Sequence, residues 1–199
     1  MDDCNIGISG NFRKICGYKP KQGIKRKWYG NQEDIDKEAT VLANRGNKIT
    51  TLVLKENAKL YPVLGNDKTH QLQSSGVVGD YGNGFTHTDT VNILYRGDQE
   101  RERVQEIVDG ARIFSISEKV DGGQNGELAF EFAGYESGML MSSFEYDTNA
   151  NSGVATLAVA TKEGEEEGTA PKIFQDTDYA TTLAFIEAAE YTEPAETTP

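Results

Sequence analysis

The sequence predicts a mainly β domain with one amphipathic helix, a C-terminal helix and an extended N-terminal arm. Three observations lead there. Side chains alternate with period two in segment after segment. Clusters of Gly, Asn and Asp separate those segments. Only two stretches show a 3.6-residue apolar period. With 199 residues, 37% hydrophobic and 26% charged, the chain suits one folded domain with extensions.

Residues 1–30, rich in Gly, Lys and Asn, read as an extended arm with one strand near Ile24–Tyr29. Residues 31–161 are the β-rich core. Gln32–Ala43 is polar and reads as a short helix or a loop. Ile49–Leu54 and Leu60–Leu64 form a candidate hairpin around Lys55–Lys59, with Pro62 placing the second strand on an edge. The turn Gly79–Gly84 leads into the cleanest strand, Phe85–Tyr95, where Val91, Ile93 and Tyr95 are expected to face the core. Asp98 is a candidate cap for a Gln99–Asp109 helix whose buried stripe is Val104, Ile107, Val108 and Ala111. Strands follow at Arg112–Glu118, Leu128–Tyr135, Gly138–Tyr146 and Val154–Thr161, the last ones as a meander, with a turn at Asp121–Gly126. Residues 162–190 hold an acidic loop and a second helix capped by Asp178, with Tyr179, Leu183 and Ile186 on one face. Residues 191–199 read as a flexible end.

The net charge of −12 is unevenly distributed. Residues 1–60 hold 12 Lys/Arg against 7 Asp/Glu, a balance of +5, and the remainder holds 8 against 25, a balance of −17. The basic part gathers at Arg13, Lys14, Lys19, Lys21, Lys25, Arg26 and Lys27 among Phe12, Tyr18, Trp28 and Tyr29. Opposite patches steer association, so this arm is expected to dock on an acidic copy or neighbour; a solvated arm and a nucleic-acid surface are the alternatives. No apolar run spans a membrane and the acidic start lacks a secretory pattern, which points to synthesis in the producing cell's cytosol. Cys4 and Cys16 are expected to be free thiols.

Reactive constellations are missing. His70 and His87 are the only imidazoles, and a metal site would need both plus carboxylates. Asp121–Glu127 departs from calcium-loop spacing, and Gly82-Asn83-Gly84 lacks the setting of a dinucleotide loop. Asp89 with Glu131 is one of many carboxylate pairs that 32 acids allow, and the serines lack a nucleophile elbow. The expectation is a protein without cofactor or metal that works through its surfaces and is not an enzyme.

Four stretches resemble virion proteins of tailed bacteriophages that form tail tubes and connector rings, in particular those of Bacteroidetes-infecting, crAss-like phages. They are Gly23–Asn31, Tyr81–His87, Gly134–Met139 and Asp176–Thr181 with the helix that follows. The resemblance implies a tail-tube-like β-sandwich or rolled barrel with a flanking helix. It also implies rings of six or twelve copies, adjacent portal-side and tail proteins, and a channel through which genomic DNA passes. A head-decoration or fibre-attachment protein is the alternative. In a ring, Arg13, Lys14, Lys19, Lys21, Lys25, Arg26, Lys27 and Trp28 are expected to clasp a neighbouring subunit. Asp80, Asp89, Glu118, Asp121 and Glu131 are expected to face the channel, where acids would repel the DNA backbone.

Overall fold

The computed structural model describes residues 8, 10–65, 69–79 and 82–193. In chain order the strands are β1 (Ile24–Asn31), β2 (Val41–Ala43), β3 (Lys48–Thr51), β4 (Tyr61–Pro62), β5 (His70–Gly79) and β6 (Gly82–Ile93). Helix α1 (Asp98–Val108) precedes β7 (Ile113–Lys119), β8 (Phe130–Ala133), β9 (Leu140–Glu145), β10 (Ala155–Ala160) and β11 (Lys172–Phe174), and helix α2 (Tyr179–Ala189) follows. The strands form two open sheets, ordered β2-β3-β11-β8-β7-β1-β4 and β5-β6-β10-β9. The molecule is mainly β, as its alternating segments require.

Alternation along the larger sheet makes two cores. One face carries Trp28, Phe114, Ile116, Phe130 and Phe132, which pack against Tyr179, Leu183 and Ile186 of α2. Asp178 starts that helix by accepting from the Thr181 amide at 2.8 Å, the cap its sequence predicts. The opposite face carries Tyr29, Ile113 and Ala133, which meet Val91, Leu157 and Val159 of the smaller sheet. The larger sheet is thus sandwiched between the smaller sheet and α2.

The register also explains Gly30, which lies directly opposite Phe114 on the α2 side. A β-carbon at Gly30 would sit 2.3 Å from Phe114 Cζ, inside a ring that is fully buried. The aromatic ring occupies the space above the glycine and shields its backbone. Gly30→Ala is therefore expected to cost about 1–3 kcal/mol by overpacking, read as a lower urea midpoint with an unchanged slope.

Several expectations are corrected. The strand expected near Ile24–Tyr29 forms, as Ile24–Asn31, but within the larger sheet rather than in an arm; it pairs β7 on one side and β4 on the other, because Trp28 and Tyr29 each fill one of the two cores. The candidate hairpin at 49–64 does not form: β3 pairs β2 and β11, while β4 joins β1 as an edge, where Pro62 lacks the N–H that a central strand needs. Gln32–Asp34 is a single tight helical turn, and Val41–Ala43 is a strand. The strand from the Gly-rich turn ends at Ile93, leaving Tyr95 74% exposed. α1 begins at Asp98 with Gly97 at its cap position, and no residue of the helix is fully buried. Strands β8 and β9 lie in different sheets, so the meander is broken between them. The expected end at 191–199 lies outside the described residues from 194 onward.

Candidate functional site

Two features of the smaller sheet stand out, a sealed polar layer beneath it and an open edge beside it. The polar layer follows from alternation. Residues 87, 89 and 91 of β6 point toward the larger sheet, so a carboxylate enters the space between the sheets beside Val91. Its partner comes from β1, where Lys27 and Tyr29 point the same way. Lys27 Nζ lies 2.6 Å from both Asp89 oxygens, and the Tyr29 hydroxyl donates to Oδ1 at 2.9 Å. Both charged side chains are 0% exposed. Burial lowers the Lys27 ammonium below its usual range against the pull of Asp89. Burial, then the Asp89 charge, pushes the Tyr29 phenol well up, so that it remains a donor.

Around this group the layer stays polar. Ser117 lies opposite Lys27 and Ser115 opposite Tyr29 in the β1–β7 register, and neither buried hydroxyl has a partner. The Nδ1 atoms of His70 and His87 are also buried without partners, and burial lowers the pKa of both rings. His87 Nε2 lies 3.1 Å from the Thr169 carbonyl, which assigns it the proton of the neutral ring.

The open edge is β5. It has a partner strand on one side only and carries no Lys, Arg, Asp, Glu or Pro between His70 and Gly79. Its outer half is exposed, with Val78 87% accessible. Natural edges of this length are usually blunted by charge or proline, and this one is not. At the other end of the same sheet β9 is also an edge, exposed from Ser142 to Glu145. The face of this sheet turned away from the larger one presents Gln71, Gln73 and Ser75 of β5 opposite Thr90, Thr88 and Thr86 of β6. It is rich in hydroxyls and amides, and Glu145 of β9 brings one carboxylate to it.

Comparison with protein-family models, with curated proteins and with solved structures found no match. Function therefore rests on the chain itself.

Of the expected channel acids, Asp89 and Glu118 are buried and cannot line a channel. Asp89 is sealed by Lys27, since its strand parity sends it inward. Glu118 is 1% exposed and bound by Lys25 at 3.3 Å, Arg26 at 2.5 Å and the Tyr179 hydroxyl at 2.8 Å. Glu131 pairs with Lys119 at 2.8 Å, and Asp121 accepts from the Tyr18 hydroxyl at 2.6 Å. Asp80 lies outside the described residues. In each described case an internal donor already engages the carboxylate.

The expected docking arm divides in two. Arg13, Lys14, Lys19 and Lys21 are exposed. Lys25, Arg26, Lys27 and Trp28 are bound within the fold, Arg26 also to Glu187 at 3.1 Å and Trp28 Nε1 to Glu190 at 3.2 Å. Of these, Lys27 and Trp28 are buried and cannot clasp a neighbour without unmaking β1.

The acidic loop is tied down as well. Arg112 donates to both Glu165 oxygens, at 2.5 and 3.1 Å, and holds its pKa to about 2. A carboxyl with a depressed folded pKa stabilises its docked state above the ordinary value and loses that contribution as pH falls through the folded one. The loop is expected to remain docked at pH 4 and to release as pH approaches 2. NMR shifts of Gly164 and Glu165 would follow this, and Arg112→Met would move release toward the ordinary carboxylate range.

The surface carries shallow clefts. One, about 490 Å³, is lined by Asn92, Asn151, Ser152 and Thr156 among others, and another, about 310 Å³, is lined by Tyr18, Lys19, Lys21 and Asp121 among others. Among the described residues no three His, Cys, Asp or Glu side chains converge as metal ligands. No helix among them is long and apolar enough to cross a membrane. Cys16 is a free, exposed thiol, and Cys4 lies outside the described residues.

Proposed function

We propose that this chain is a structural virion protein of a tailed bacteriophage, joining copies of itself into a ring or tube segment of the tail or connector through which DNA passes. The observation that supports this reading is the uncharged ten-residue edge β5, set in a sheet whose other edge, β9, is also open. Head-to-tail pairing of β5 on one copy with β9 on the next is a heterologous contact. Repeated with rotation, it closes into a ring and leaves no free edge in that sheet. The two packed sheets with α2 alongside agree with the architecture that the resemblance implies.

In such a ring the Thr, Ser and Gln face, with Glu145 of β9 on it, is the natural lining of the passage. Without cations it offers the DNA backbone no counter-charge to hold it. The exposed cations Arg13, Lys14, Lys19 and Lys21 remain available to an acidic neighbour in the particle.

Solution mass at high protein concentration, followed by negative-stain imaging, tests the reading. Closed particles with a central hole of roughly duplex width are the expected result. Ser75→Lys combined with Val77→Lys places charge along the edge and is expected to yield folded monomers. Assemblies that persist unchanged in this variant would overturn the edge contact, and a wild-type chain that stays monomeric at every concentration would remove the self-assembling ring.

A further inference from the structure

We propose that Lys27 and Asp89 condense into an intramolecular isopeptide cross-link that covalently joins the two sheets. The inference goes beyond ring formation and does not depend on it. It rests on how the pair is held. A nitrogen 2.6 Å from both carboxyl oxygens is about 3 Å or less from the carbon between them, inside the range of a near-attack arrangement. Both side chains are 0% exposed, so no bulk water competes for the carboxyl carbon or hydrates the ammonium. Among the described residues, the Gln71 carbonyl at 3.4 Å is the one hydrogen-bond acceptor of Nζ besides Asp89.

The chemistry closes on the groups present. In a sealed site, proton transfer from the ammonium to the carboxylate gives a neutral amine and a neutral acid. Burial, which already lowers the Lys27 pKa, favours the uncharged amine. Nζ attacks Cγ while the Tyr29 hydroxyl, 2.9 Å from Oδ1, donates to the oxygen on which negative charge develops. The Nζ–Cγ bond forms and the Cγ–Oδ2 bond breaks. Oδ2 leaves as water, carrying the acid's own proton and one from Nζ. One water is lost, nothing is oxidised or reduced, and no co-reactant is needed. The product is a neutral amide that removes two charges from the inter-sheet core and keeps the Tyr29 hydrogen bond.

The strands joined are β1, next to the edge strand β4 of the larger sheet, and β6, inside the smaller one. Lys27 and Asp89 are 62 residues apart, so the bond would close a long loop between the two layers. A shell or tube subunit under mechanical load gains most from a tie in this position.

The test is the intact mass of the purified full-length chain after denaturation. The expected value is about 18 Da, one water, below the mass of the linear sequence. Trypsin should then release a branched peptide joining the segment that begins at Lys27 to the segment Thr69–Arg96. A chain of full mass, with a linear peptide cleaved after Lys27, overturns the proposal. So does a water loss that maps to the Asp121-Gly122 peptide, where an aspartyl imide has the same mass. Lys27→Arg keeps the charge but lacks the amine and should show the full mass; the same deficit in that variant would also overturn the assignment. Tyr29→Phe keeps the ring and removes the donor, and uncondensed chain is expected to accumulate in it.

Discussion

Asp89→Ala is expected to cost about 3–5 kcal/mol of folding stability, measured by urea denaturation. The size follows from what the substitution leaves behind. Lys27 is fully buried, and without Asp89 its nearest acceptor is the Gln71 carbonyl at 3.4 Å. Tyr29 loses the acceptor of its hydroxyl in the same step, and the neighbouring Ser115 and Ser117 hydroxyls are already without partners. Removing the cation as well should relieve much of the loss, so Lys27→Met with Asp89→Leu is expected to be less destabilised than Asp89→Ala alone. That sub-additivity is the signature of a buried pair. Equal losses in the single and double variants would place the cost in packing instead.

Phe132→Ala is expected to be of similar size, about 3–5 kcal/mol, for a different reason. Phe132 is fully buried on β8, between β7 and β11. Its ring stacks on Phe114 with centroids 4.7 Å apart and meets Tyr135 edge-on at 6.0 Å. Truncation removes both ring contacts and opens a cavity under α2 that strands on either side prevent from collapsing. Phe132→Leu retains much of the volume and should cost clearly less. A lower urea midpoint at constant slope would show that the folded state has lost stability rather than changed its extent.

Much of the β architecture is legible in the residues. The alternation at Phe85–Ile93, the apolar runs at 113–116 and 155–159, and the Asp178 cap each state a local preference that the packed structure agrees with. Two kinds of feature are not legible. β5 reads His-Gln-Leu-Gln-Ser-Ser-Gly-Val-Val-Gly, with neither sustained alternation nor a bounded apolar run, because an edge strand with an exposed outer half needs little apolar surface. β11 has only three residues, and its place is set by partners far off in sequence.

The site was half legible. Asp89 stands at a parity that points inward beside Val91, and a charge in such a place requires a partner. Nothing in the order of residues says that the partner is Lys27, because the two lie on strands of different sheets. For the same reason the basic run at 25–27 looks like a solvated patch until β1 is placed, after which its three cations turn to Glu118, Glu187 and Asp89.

The position of β11 governs when the molecule can finish folding. It lies between β3 and β8 in the larger sheet, running parallel to the first and antiparallel to the second. A nascent chain that has emerged only as far as β10 therefore lacks the strand that joins one half of that sheet to the other. The β2–β3 hairpin and the β8–β7–β1 unit must wait, each with an open edge, until Ile173 leaves the ribosome. Closure of the sheet is then a late, long-range event, slower than the local pairing of β5 with β6. A ribosome stalled before residue 172 would present two unpaired edges, and the chaperones that guard them should be needed most in that interval.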